Sequence, residues 1–279
     1  MRDITGSIVV YKNPLNEIQG AISSFLNTKL DVTLYVIDNS PAEHARKLCQ
    51  DHRIVYIFNG RNLGFGAAHN IALRESMNAA GYHVVLNPDV YFDSGVLEKL
   101  FDFASSSPAV GLVMPKILNP DGSIQYLCKR LPTPSDLILR RFMPRVLRPL
   151  VEQRMANYEL RDQDYNRMLS VPVLSGCFMM INCEALSQIG VFDERYFMYL
   201  EDVDLCRRIH QRFRTIYYPD VAIFHHYGMG SYRKLRPMIH HILSAFRYFQ
   251  KWGWFSDYER IAINRSKPCQ IEQHLEIRQ

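Results

Sequence analysis

The chain of 279 residues has no run of roughly 18 apolar residues, the least a helix needs to cross a bilayer. Its opening stretch, MRDITGSIVVY, holds only a short apolar run, too brief for the core of a signal peptide. Its cysteines, Cys49, Cys128, Cys177, Cys183, Cys206 and Cys269, form no C-x-x-C pair and no zinc-like spacing. Cys177, Cys183 and Cys206 lie in apolar surroundings, where a free cysteine acts as a small hydrophobe. A reduced, cytoplasmic protein is therefore expected. There is no internal repeat and no low-complexity tract. With 47% hydrophobic and 22% charged residues the composition excludes disorder and is that of an ordinary globular chain.

What is there is enough for one large domain, or a domain with an appendage. The net charge of +5 is unevenly spread. Between residues 129 and 154 stand Lys129, Arg130, Arg140, Arg141, Arg145, Arg148 and Arg154, against Asp136 and Glu152 only. Such local basicity points to phosphate-bearing ligands or an anionic membrane surface rather than to nucleic acid.

Apolar, β-branched runs at 7–11, 32–37 and 54–58 alternate with helical periodicity at 15–26 and an expected helix at 42–50. That rhythm predicts an α/β fold with a parallel sheet covered on both faces, and ligands beyond the carboxyl ends of its strands. Asp38 stands at such an end and is read as a nucleotide contact, or as a turn former before Pro41. The loop from Asn59 to Asn70 carries Gly64 and Gly66 ahead of a helix, which suits a phosphate or ribose. As a dinucleotide fingerprint it is defective, and it follows the third strand.

A fourth strand at 82–86 delivers Asn87-Pro88-Asp89, where a divalent cation could bridge Asp89 and phosphate oxygens. Helix 95–104, strand 110–114 and a tight hairpin turn at Asn119-Pro120-Asp121-Gly122 come next. Residues 134–155 read as an amphipathic helical excursion, broken at Pro144 and Pro149. VPVLSGCFMMI at 171–181 is expected to be a central strand in which Gly176 admits close approach.

FDERYFMYLEDVDLCRRI at 192–209 places Glu201, Asp202 and Asp204 on an acidic helix N-terminus behind an aromatic run. Partial burial there would raise a carboxylate's pKa and ready it for base chemistry. Short strands at 215–218 and 221–224 flank a Pro219-Asp220 turn and lead to His225, a candidate metal ligand. A cationic helix at 235–255 carries Ile239, Ile242, Leu243, Phe246, Phe249 and Trp252 on one stripe. It either lies on a membrane or packs on the domain. The tail beyond Ser266 reads as polar and frayed.

SIVVYKN, Asp38, RNLGFGAAHN at 61–70, LNPDV at 86–90, SGCFMMI at 175–181, the acidic helix and FHHYGMGS at 224–231 follow one another in order. This ordered set resembles the inverting GT-A glycosyltransferases of family 2, rhamnosyltransferase-like branch. The resemblance implies a GT-A fold: a mostly parallel, Rossmann-like sheet flanked by helices, with a C-terminal amphipathic helical segment. It implies a catalytic domain over 1–232, divided near 110 into a nucleotide-sugar half and an acceptor half. Helices at 233–265 and a tail at 266–279 would follow.

It further implies Asp202 as catalytic base, with Glu201 and Asp204 orienting it or the acceptor. Tyr11, Asp38, Arg61, Asn62, Gly64, Phe65, Gly66, Asn70, Asn87 and Gly176 would hold the donor. Asp89 and His225 would ligate Mn2+ or Mg2+; Asn87 stands where many relatives have a second carboxylate. The expected donor is dTDP-L-rhamnose and the expected acceptor a polyprenyl-diphosphate-linked saccharide, at the inner face of the cell membrane. A non-catalytic nucleotide-sugar-binding module is the alternative.

Overall fold

The structure, a computed structural model, describes residues 2–142, 149, 151–226, 235–266 and 269–271. The expected readings at Pro144, Arg145, Arg148, Tyr227–Ser231, Arg233 and Lys234 lie outside the described residues.

The first half follows the expected rhythm: β1 (Arg2–Val10), α1 (Leu15–Leu26), β2 (Val32–Asp38), β3 (Ile54–Phe58), α2 (Phe65–Ser76) and β4 (Ala80–Leu86). Strand order β3-β2-β1-β4 is parallel throughout, so all four carboxyl ends open on one edge. Ile4, Ile8, Leu34, Val36, Val84 and Leu86 are fully buried between the helical layers, which is why these strands read as near-continuous apolar runs.

Beyond β4 the sheet becomes mixed. β5 (Val90–Tyr91), α3 (Val96–Ser105), β6 (Val110–Leu118), α4 (Pro134–Phe142), α5 (Glu152–Tyr158) and β7 (Met168–Ser170) come first. β8 (Phe178–Asn182), α6 (Cys183–Ile189), α7 (Glu201–His210), β9 (Arg214–His225), α8 (Leu235–Trp252), α9 (Tyr258–Arg265) and β10 (Cys269–Ile271) complete the order. β8 runs antiparallel between β4 and β6, and β9 runs parallel to β6.

Four local expectations are corrected. The helix over 42–50 is a single 3-10 turn at Arg46–Leu48. The N–H groups of His44 and Ala45 donate instead to the Asp38 carboxylate. Only Phe178–Asn182 of the 171–181 run is a strand, because Leu174 N–H turns to Cys206 and Gly176 N–H to Asp202. β9 continues through Pro219-Asp220 as one strand, and a register shift against β6 absorbs the irregularity. Part of the tail, Cys269–Ile271, pairs antiparallel with β7 instead of fraying.

Helix α8 and the segment after it pack against the rest of the chain. Tyr248 and Phe249 of α8 are buried in a second core with Leu131, Leu137, Val173, Tyr196, Leu200 and Val203. Arg207, itself 1% exposed, pairs with Asp257 at 2.7 Å and Glu259 at 2.7 Å, and lies 4.1 Å over the Trp252 ring. An ion pair this deep is held by good geometry, and removing either partner would leave an uncompensated charge. The single apolar stripe expected on α8 splits in two: Ala245, Tyr248, Phe249 and Trp252 face the domain, while Ile239, Ile242, Leu243 and Phe246 are exposed. In the basic segment, Arg130 donates to Asn157 and to the carbonyls of Asn264 and Ser266, and Arg154 pairs with Asp136. These two cations therefore serve internal bonds.

Candidate active site

β5 pairs with the end of β9, Val90 opposite His225, and the His226 N–H donates to the Asp89 carbonyl. This brings His225 Nε2 to 3.4 Å from Asp89 Oδ1 and 3.5 Å from Asn87 Nδ2. Donors about 2.1 Å from an octahedral ion stand about 3 Å apart, so Asp89 and His225 suit neighbouring positions on one divalent cation. Among the described residues no group of three or more His, Cys, Asp or Glu could hold a metal. Any ion here would draw its remaining ligands from the substrate or water.

On the other side, α7 begins behind two consecutive non-glycine residues in the left-handed region, Tyr199 at φ 73° and Leu200 at φ 68°. Such strain is tolerated only where packing over-determines it, and Leu200 is anchored in the second core. The kink aims three carboxylates in three directions. Asp202 is partly exposed, its Oδ2 accepting from Gly176 N–H at 3.1 Å and its Oδ1 from Val203 N–H at 2.8 Å. Glu201 is buried beside the first turn of α2, and its Oε2 meets no donor among the described residues. Burial first, and then the charge of Asp202, push its carboxyl up to about 8.

Asp204 is fully buried and bound to Arg208 at 2.9 Å, Lys251 at 2.7 Å and Trp252 Nε1 at 2.8 Å. It clamps α7 to α8, and its oxygens are engaged by these partners.

The two sides meet across Ser175–Cys177. Asn87 N–H donates to the Cys177 carbonyl at 2.9 Å, while Gly176 N–H holds Asp202. The Cys177 thiol is pushed up to about 12, by burial first and then by the charges of both Asp89 and Asp202, with Ser175 and Lys129 opposing. Asp89 and Asp202 therefore flank one short segment at the end of β4.

The glycine loop packs closely against the chain itself. A Cβ on Gly64, at φ 88°, would fall 2.2 Å from the Phe197 carbonyl, and one on Gly66 would fall 2.9 Å from Phe192. Phe65 N–H, the first of α2, donates to that Phe197 carbonyl at 2.9 Å. What approaches these glycines within the chain is the 192–197 segment. Asn70 is fully buried and grips the same segment, donating to Phe192 O and Glu194 and accepting from Phe192 N–H.

Gly176 gives room to Asp202 and the Phe65 ring, 3.1 and 3.5 Å from where its Cβ would be. Asp38 is buried and accepts from the N–H groups of Ser40, His44 and Ala45 and from Tyr56 Oη. Burial raises its carboxyl, and these bonds outweigh it and hold the group below the usual range. Asp38 thus shapes the 39–45 loop. Asn62 accepts from Gly64 N–H, Arg61 is exposed, and Tyr11 stands 47% exposed at the end of β1. Two residues escaped the sequence reading. Asn39 ties Asn59, Asn62 and Gly64 together, and Gln125 bonds His225; only the turn at 119–122 marked the neighbourhood of the latter.

Comparison with known proteins gives the family. The sequence profile described as "Glycosyl transferase family 2" matches residues 7–190. The chain is 30% identical over 241 residues to an N-acetylglucosaminyl-diphospho-decaprenol L-rhamnosyltransferase of Mycobacterium tuberculosis, covering 81% of this chain and 77% of that one. It is 26% identical to the rhamnosyltransferase WbbL of Escherichia coli K12, over 84% and 85% of the two chains. In fold it is similar to the mannosyltransferase PcManGT from Pyrobaculum calidifontis, solved with GDP-Man and Mn2+, with a TM-score of 0.55 at 14% identity over 94% of this chain and 73% of that one. The sheet, the two carboxylates flanking Ser175–Cys177 and these likenesses converge: the chain belongs to glycosyl transferase family 2.

Proposed function

We propose that this glycosyltransferase moves L-rhamnose, from dTDP-L-rhamnose, onto a polyprenyl-diphosphate-linked saccharide in O-antigen-like surface polysaccharide assembly, with inversion at the anomeric carbon. The observation that supports this reading is that Asp202 and Asn87, two residues before Asp89, both bond the Ser175–Cys177 segment. Relatives named as rhamnosyltransferases support the sugar, and the decaprenol in the name of one supports a lipid-linked acceptor.

Asp202 takes the proton from the acceptor hydroxyl as that oxygen attacks, on the sugar face opposite the diphosphate. Two backbone N–H groups fix its carboxylate. Burial raises the Glu201 carboxyl to about 8, which favours its neutral form, and Asp202 is the member of the pair open to solvent. Asp89 and His225, with Asn87 beside them, would hold Mn2+ or Mg2+, which when bound supplies positive charge for the departing diphosphate. Tyr11, Arg61 and the loop shaped by Asp38 and Asn62 would receive the nucleoside.

Among the described residues no helix is long and apolar enough to cross a membrane. The outward face of α8, with Ile242 and Phe246 about half exposed and Phe255 beyond it 81% exposed, supports attachment to the cytoplasmic surface of an anionic membrane. The catalytic reading is tested by Asp202→Asn. Transfer is expected to fall on the order of 10²–10⁴-fold, with donor binding changed only a few-fold. Near-normal turnover would remove Asp202 from the base role.

A further inference from the structure

We propose that Gln125 is a positioning residue that fixes His225 in the tautomer protonated on Nδ1, so that the Nε2 lone pair faces Asp89. Its purpose rests on the metal reading above; its geometry does not. A neutral imidazole has one donor and one acceptor nitrogen, and only the bare one can ligate a cation. Which one is bare depends on what the other nitrogen meets.

Here the answer can be traced bond by bond from a surface turn. Asp121 is held below the usual carboxylate range by the Ser123 hydroxyl and N–H, so it only accepts. The Ser123 hydroxyl points its proton at Asp121 Oδ1, 2.6 Å away. Its oxygen must then accept from Asn119 Nδ2 at 2.8 Å. That settles the Asn119 amide, whose Oδ1 is turned to Gln125 Nε2 at 2.7 Å. Gln125 Nε2 also donates to the His225 carbonyl at 2.8 Å, so both its protons meet oxygens that can only accept.

Gln125 Oε1 is left facing His225 Nδ1 at 3.0 Å. An amide oxygen accepts only, and therefore Nδ1 carries the proton. Nε2, toward Asp89 at 3.4 Å, is the bare nitrogen. The Asn119-Pro120-Asp121-Gly122 turn, closed by Gly122 N–H to Asn119 O, thus sets the orientation of a ring on the neighbouring strand. Partners of this kind around a ligating histidine are worth on the order of 10–100-fold in metal affinity.

The experiment uses the full chain. 15N spectra of histidine-labelled protein without metal, at mildly alkaline pH, read the tautomer; Mn2+ titration with nucleoside diphosphate, followed by electron paramagnetic resonance, reads affinity. The wild-type ring is expected as Nδ1–H. Gln125→Met is expected to move the proton largely to Nε2 and to weaken Mn2+ on the order of 10–100-fold. Asn119→Ala, which leaves Gln125 and His225 in place, should shift both readouts the same way by less, with an unchanged unfolding midpoint. An Nε2–H ring in the wild type, or an unchanged tautomer in Gln125→Met, overturns the proposal. A wild type that takes up no Mn2+, yet whose Nδ1–H ring is released by Gln125→Met, refutes the metal reading and leaves the hold of Gln125 on the ring standing.

Discussion

The two sides of the candidate site are built in opposite ways. The side with Asp89 and His225 lies on one sheet edge: strand ends, one sheet pairing and a hydrogen-bonded turn place its groups. The side with Asp202 is assembled by helices packed around it. Its strained entry at Tyr199-Leu200 is held by α8 through Asp204, Lys251 and Trp252, and by the start of α2 through Gly64, Gly66 and Asn70. A side fixed by the sheet ladder resists change in the helices. A side held by helix packing transmits it.

That contrast can be broken most forcefully at Trp252. Trp252→Ala removes a hydrogen bond to Asp204, the ring under Arg207 and part of the second core. We expect a loss of about 3–5 kcal/mol in unfolding free energy, and slower transfer. Mn2+ binding, measured well below the unfolding midpoint, should stay close to wild type. Equal losses on both sides would erase the distinction.

The same helix sharpens the contrast from its other face. Ile242→Glu with Phe246→Glu changes only exposed side chains, so transfer to a soluble acceptor should hold within a few-fold. Burial of two such side chains would be worth roughly 1.5–3 kcal/mol each, so affinity for anionic vesicles should fall on the order of 10²-fold or more. Unchanged sedimentation with vesicles would show that the outward face is not the anchor.

At acid pH the smallest effect belongs to Glu201→Gln. The folded protein raises this carboxyl from 4.5 to about 8, so it binds the proton more tightly than the unfolded chain does. The resulting stability is fully present below about 4.5 and is lost progressively as pH rises through about 8. The glutamine variant should match wild type in acid and overtake it progressively as pH rises through that window, as followed by denaturant unfolding across pH. A wild-type curve as flat as the variant's would place Glu201 in contact with water.

How far the site could be read from the sequence differs residue by residue. Asp89, His225 and Asp202 stand out in the sequence because each closes or opens a regular element in an ordered set of motifs, and the structure brings Asp89 beside His225. Gly64, Gly66, Asn70 and Asp204 were read toward ligand or chemistry, and the fold adds contacts within the chain that the sequence did not announce. A glycine or a buried amide announces close approach, but the sequence cannot say whether a substrate or the 192–197 segment comes near. Gln125 carried no signal beyond the turn before it, since its role depends on a strand 100 residues away.

By itself, the sequence determined the strands β1, β2, β3 and β4 and the helices α1 and α2 among them, because apolar periodicity is a local property that each segment carries alone. It also determined the chemical types at the strand ends. Only the tertiary structure decided that 171–177 leaves the sheet to reach α7, that one helix turn holds three carboxylates in three environments, and that α8 belongs half to the core and half to the surface. Those outcomes depend on which donors, charges and apolar surfaces meet across the fold, and such meetings between residues remote in sequence exist only once the chain is packed.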